Sequence, residues 1–252
     1  MVKLKVKSIL VSQPEPKVEN SPYNELQDKL KVRVDFRPFI HVEGVPVREV
    51  RNEKIDLKDY TAIILTSKNS VDHFFRIAEE MRYKIPETLK YFCQSEAVAF
   101  YLQKYVIYRK RKIYIGKKRF EDLSPLIKKH KNEKFLISAS DKLNNSVRET
   151  LNGLEIVWTQ GTFYRTVVSD LSDLKNVYYD ILAFYSPSGI QSLFKNFPDF
   201  KQNDTRIAVF GNSTEKEALN HGLRIDIMAP TKENPSMTGA LKNYIVEANK
   251  TK

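Results

Sequence analysis

Asp59-Tyr-Thr-Ala-Ile-Ile-Leu-Thr-Ser-Lys-Asn-Ser-Val-Asp-His-Phe-Phe75 reads as a buried strand, a hydroxyl-rich turn and the start of a helix, and the chain writes the same unit again as Tyr178-Tyr-Asp-Ile-Leu-Ala-Phe-Tyr-Ser-Pro-Ser-Gly-Ile-Gln-Ser-Leu-Phe194. In both copies a short apolar run is followed by small polar residues and then by apolar residues at helical spacing. Ser67 aligns with Ser186 and Asn69 with Ser188. A strand end that opens a helix offers unpartnered backbone N–H groups and the positive end of a helix dipole, a setting that favours anions. Two such cradles facing each other across a cleft would suit a ligand with several carboxylates or phosphates.

Strand and helix signals alternate along nearly the whole chain. Outside the repeated unit, strands are expected near residues 8–12, 90–93, 112–115, 134–138, 206–210 and 224–228. Helices are expected over 23–30, capped by Asn20 or Ser21, and over 96–105, 123–130, 145–151, 213–219 and 237–248. Alternating βαβ units imply parallel sheets covered by helices, with ligands at the carboxyl ends of the strands. Two stretches break the pattern: residues 32–45, where Pro38 argues against a central strand, and residues 154–168. Both are too long and extended for one small sheet and read as crossings. The expected fold is therefore α/β, with two interleaved flavodoxin- or Rossmann-like parallel-sheet lobes joined by a two-strand extended linker. Residues 1–35 plus 168–252 form one lobe and 44–160 the other, with 36–43 and 161–167 as linker strands.

The 252 residues carry 42 Lys plus Arg against 31 Asp plus Glu, a formal charge of +11 that points to an anionic partner. The lone Cys93 excludes an intramolecular disulfide framework, which fits a reducing cytoplasm. The charged start Met1-Val-Lys-Leu-Lys-Val-Lys7 and the short run Ile9-Leu10-Val11 do not make a signal sequence, and no stretch is long enough for a membrane span. His41, His73, His130 and His221 have no metal-ligand spacing, and Asp59, Asp72 and Asp180 form no evident acid–base pair. Neither a Gly-x-Gly-x-x-Gly turn nor a phosphate loop is present, which counts against dinucleotide or ATP chemistry.

Val209-Phe-Gly-Asn-Ser-Thr-Glu-Lys-Glu-Ala-Leu-Asn-His-Gly-Leu-Arg-Ile-Asp-Ile-Met-Ala-Pro230 resembles the signature of uroporphyrinogen-III synthases. Phe184-Tyr-Ser-Pro-Ser-Gly189 and Leu65-Thr-Ser67 are similar to that family's two Ser-containing turns, and Phe163-Tyr-Arg-Thr166 to its linker strand. Order and spacing across the chain carry the resemblance more than any one motif. Asn212 and Ser213 replace Pro-Thr, Gln13 stands where many members have Arg, and Gln94 replaces a Gly.

The resemblance implies a cofactor-independent lyase of the cytoplasm that closes the linear tetrapyrrole hydroxymethylbilane into uroporphyrinogen III, losing water and inverting ring D. The substrate's eight carboxylates match a basic chain. Tyr164 is the family-matched proton donor, and Thr66, Ser67, Asn69, Ser186, Ser188, Gly189, Gly211, Ser213 and Thr214 are the substrate-binding candidates. Each has a plainer reading: Tyr164 as a packing aromatic, the hydroxyl residues as caps and turn formers. A monomer receiving substrate from porphobilinogen deaminase is expected, with no membrane partner. Two other classes fit less well. One is a nucleic-acid binder using the basic aromatic stretch at residues 101–120, which matches no known module. The other is a two-lobed small-molecule binder without catalysis.

Overall fold

The computed structural model describes residues 4–250, so the first three residues of the charged amino-terminal stretch lie outside the described residues. The chain opens with β1 (Ser8–Val11), α1 (Asn24–Asp28) and β2 (Arg33–Phe36). It continues through β3 (Ile40–Gly44), α2 (Val47–Asn52), β4 (Ala62–Leu65), α3 (Lys68–Glu80), β5 (Lys90–Cys93), α4 (Glu96–Leu102) and β6 (Ile113–Ile115). Then come α5 (Ser124–Lys128), β7 (Lys134–Ser140), α6 (Asn145–Asn152) and β8 (Val157–Val168). The last part is β9 (Ile181–Phe184), α7 (Pro187–Asn196), β10 (Arg206–Phe210), α8 (Asn212–Asn220), β11 (Ile225–Ala229) and α9 (Met237–Asn249).

These elements form two units, Met1–His41 with Val167–Lys252, and Val42–Thr166. The first holds a five-stranded parallel sheet in the order β11-β10-β9-β1-β2. The second holds a six-stranded sheet in the order β3-β8-β7-β4-β5-β6, with the five strands from β8 to β6 running parallel. In each sheet the chain winds outward one way and then returns to the other side of an inner strand, β1 in the first and β4 in the second. That reversal places a topological switch between β1 and β9 in one unit and between β4 and β7 in the other, where a crevice opens beyond the carboxyl ends.

The repeated apolar runs become strands buried on both faces. Ile63 and Leu65 of β4 face one core with Phe74, Ile77 and Phe163, while Ala62 and Ile64 face another with Phe92, Phe135 and Ile137. In β9, Ile181 and Ala183 join Ile9, Val11 and Leu241, and Leu182 and Phe184 join Phe39, Ile190 and Val209. A strand covered by helices on both sides needs a continuous apolar run rather than an alternating one. Helix α3 turns Val71, Phe74, Ile77 and Ala78 into its core on one stripe.

Local departures from the sequence reading have local causes. The helix expected over 23–30 shortens to Asn24–Asp28, and neither Asn20 nor Ser21 caps it, since Ser21 Oγ instead accepts from the Tyr23 N–H in the preceding turn. The extended stretch 32–45 divides around Pro38 into β2 and β3, both edge strands, and Pro38, which has no N–H to give a ladder, falls in the break between them. Helix α2 gives little sequence signal because only Val50 among its residues is buried. Residues 161–166 belong to β8 within the second unit, where Gly161, Thr162 and Tyr164 pair with Ser138, Ala139 and Ser140 of β7.

Candidate active site

Tyr164 owes its position to an irregularity. The β7–β8 ladder sets Ala139 opposite Thr162 but Ser140 opposite Tyr164, so Phe163 is an extra residue on β8. Neighbouring side chains of a regular strand point to opposite faces, yet Phe163 and Tyr164 both enter the same core, which a bulge permits. The Phe163 carbonyl accepts from Val45 N and from Arg76 Nη2, each at 2.9 Å, which pins the bulge.

The Tyr164 side chain lines a cavity of about 670 Å³ at the carboxyl ends of the strands, together with Thr66, Gln94, Ser140 and Asn144. Lys118, Arg119 and Lys142 also line it, against the single carboxylate of Glu121. The turn bearing the first two cations is braced from behind: Asp122 Oδ2 accepts from Lys118 N at 2.8 Å and Arg119 N at 2.9 Å, and Gln94 Nε2 donates to Lys118 O at 3.2 Å. Those backbone donors hold the Asp122 carboxyl below the usual range, so it stays ionised and turned to its own backbone. Tyr164 is only 9 % exposed, and burial raises its phenol pKa, with the Ser67 hydroxyl opposing that shift as a hydrogen-bond partner. The phenol is therefore protonated at neutral pH. Its ring stacks on His73 with centroids 5.1 Å apart and planes 20° apart.

Ser67 caps α3, its Oγ accepting from Ser70 N at 3.1 Å. Ser70 Oγ in turn accepts from the N–H groups of Thr66 and Ser67, both at 2.9 Å, and donates to Ser67 O at 2.7 Å. The anion cradle expected from the sequence is thus smaller here: a buried serine one turn into the helix takes two of its donors, leaving the open helix end at Lys68 and the exposed Asn69.

The other six candidates stand on the five-stranded sheet. Ser186 caps α7, accepting from Gly189 N at 3.3 Å, while Ser188 lies inside the first turn. Gly189 is buried, with ordinary room for a methyl group, so packing alone does not demand glycine there. On the neighbouring strand β10, Gly211 has φ +83° and caps α8 with nothing within 4 Å of where a Cβ would sit. Its positive φ is the conformation that calls for glycine. Ser213 is exposed, and Thr214 is 1 % exposed with an Oγ1 lacking any hydrogen-bond partner among the described residues. An orphaned buried hydroxyl in the first turn of a helix is unusual in a settled fold. Between these turns Tyr185, the counterpart of Thr66, has a hydroxyl paired with that of Tyr23.

Thr66, Ser67, Asn69 and Tyr164 thus belong to one unit and Ser186, Ser188, Gly189, Gly211, Ser213 and Thr214 to the other. Sequence reading missed Lys118, Arg119, Ser140, Asn144 and His73. The two cations sat inside a basic stretch that drew attention to nucleic acid instead. That stretch offers few free ring faces: Tyr101 lies beneath Lys104 and donates to Asp72, Tyr105 stacks on Phe75 at 4.3 Å, Tyr114 stacks on Phe92, and Phe120 is buried. Among the described residues no group of His, Cys, Asp and Glu could hold a metal ion, and no helix is long and apolar enough to cross a membrane.

The structure is similar to the uroporphyrinogen-III synthetase of Helicobacter pylori 26695, with a TM-score of 0.60 at 17 % identity over 96 % of this chain and 99 % of that one. It is also similar to a mutant uroporphyrinogen III synthase from the extremely thermophilic bacterium Thermus thermophilus, with a TM-score of 0.53 at 14 % identity over 96 % and 98 %. No curated protein sequence matches the chain. The sequence profile described as uroporphyrinogen-III synthase HemD matches residues 21–239. That match covers every strand but β1 and includes every candidate residue, and by it the chain belongs to the uroporphyrinogen-III synthase family.

Proposed function

We propose that this chain cyclises hydroxymethylbilane to uroporphyrinogen III as a hydro-lyase, with loss of water and inversion of ring D. The observation that carries the reading is Tyr164, a protonated, buried phenol lining a cavity shared with Lys118, Arg119 and Lys142 at the switch point of its sheet. The cations and the Thr66, Ser140 and Asn144 side chains suit carboxylates of the substrate, held as charge-assisted hydrogen bonds. In the other unit the buried Thr214 hydroxyl, without a hydrogen-bond partner among the described residues, is a separate candidate for a polar ligand.

The bilane closes unaided without inversion, so the protein acts chiefly by holding one folded geometry. Tyr164 donates its proton to the departing hydroxyl, which leaves as water. The phenolate then recovers a proton from the bilane as the macrocycle closes, so the enzyme ends unchanged. A positioned general acid contributes a factor of ~10² to 10⁴. Coupling the chain to porphobilinogen deaminase and resolving type III from type I product tests the reading. Type III should dominate, and Y164F should lower turnover toward the smaller end of that range while raising the type I share. Type I alone, at the rate of the uncatalysed closure, would overturn it.

A further inference from the structure

Tyr164 does not hold its own ring in place. Beside the Ser67 hydroxyl that meets its phenol, the ring is supported by His73, in the second turn of α3, stacked at 5.1 Å. Arg76 fixes His73 in turn: Nε donates to His73 Nδ1 at 3.2 Å, Nη1 donates to Glu80 at 2.6 Å, and Nη2 donates to the carbonyls of Val45 and Phe163, both at 2.9 Å. Gly44 keeps space for the guanidinium, since a Cβ there would stand 2.7 Å from Arg76 Cζ. Because Nδ1 accepts, the proton of the neutral imidazole lies on Nε2. One arginine therefore sets both the orientation of the His73 ring and the carbonyl of the bulge that carries Tyr164.

We propose that His73 is a positioning residue that holds the Tyr164 ring for proton donation, with Arg76 as its anchor. The proposal rests on the reading of Tyr164 as proton donor. Burial and the Arg76 charge lower the His73 pKa, outweighing nearby Asp72, which keeps the ring neutral; a cation against Tyr164 would favour phenolate and remove the proton to be given.

Three substitutions separate the parts. H73F keeps an aromatic face, H73Q keeps an acceptor for Arg76, and H73A keeps neither. In the coupled assay, H73A and H73Q should lower kcat and shift product toward type I by roughly 2- to 12-fold, the effect one offset aromatic stack supports. KM should stay near the parent value, and H73F should restore most of the loss. The proposal is overturned if H73F is as impaired as H73A, or if H73A matches the parent while Y164F is impaired. If Y164F also matches the parent, the proton-donor reading falls first and this one with it. Should H73A fail to fold, H73F against H73Q decides the matter.

Discussion

Gly161→Ala is expected to disturb catalysis from within the core. A Cβ at Gly161 would lie 2.7 Å from Cε1 and Cζ of Phe163 and 3.3 Å from Leu136 Cδ1. Phe163 is fully buried, and its main chain is held through its carbonyl by Val45 and Arg76, so the ring cannot retreat by moving the backbone freely. Over-packing of a tight core destabilises by about 1–3 kcal/mol. Replacing a glycine in a strand regains about 0.5–1 kcal/mol of chain entropy. The net expectation is a loss of up to about 2.5 kcal/mol in urea unfolding, together with a higher type I share, because the displaced Phe163 is the residue next to Tyr164 in the bulge. Phe163→Leu removes the ring atoms that clash, so G161A/F163L should be less destabilised than the sum of its parts. A G161A protein as stable as the parent, with unchanged product ratio, would refute the reasoning.

Thr214→Val replaces an unpartnered buried hydroxyl by a methyl group of similar shape; it should leave the free protein as stable or up to about 1 kcal/mol more so, while weakening binding of uroporphyrinogen III, measured by thermal melting and fluorescence titration. Loss of both stability and binding would mean the hydroxyl has a structural partner. Tyr105, bonded to Asp72, and Tyr179, bonded to Asp35, are both raised to about 12. Such groups release protons more readily when unfolded, so their stabilisation is complete below pH ~10 and declines as pH climbs from ~10 to 12. Urea midpoints measured across that window should fall, and tyrosinate absorbance should lag behind that of the denatured chain; a flat profile would contradict the shifts.

The fold was largely legible because its information is local. The Ala62–Leu65 and Ile181–Phe184 runs can only be strands buried on both faces, and the Ser67 and Ser186 caps mark where helices follow, so a repeated βα scheme needs no tertiary knowledge. Pro38 was readable for the same reason, since a missing donor restricts a strand wherever it lies.

The site was legible only as a set of residue types. Whether a backbone N–H is free depends on what else reaches it, and the Ser70 hydroxyl that takes the Thr66 and Ser67 donors looks in sequence like any polar residue of a first turn. The bulge at Phe163 arises from the register of β8 against β7, a pairing between segments far apart in the chain, and strict alternation would have sent Tyr164 to the opposite face. Strand order likewise brought Lys118 and Arg119 from a stretch suggestive of nucleic acid to the cavity beside Tyr164. Sequence by itself determined the elements and their chemistry, because propensity and capping act over a few residues. Tertiary structure decided which donors remain open and which side chains meet, because those depend on register and strand order across the whole sheet.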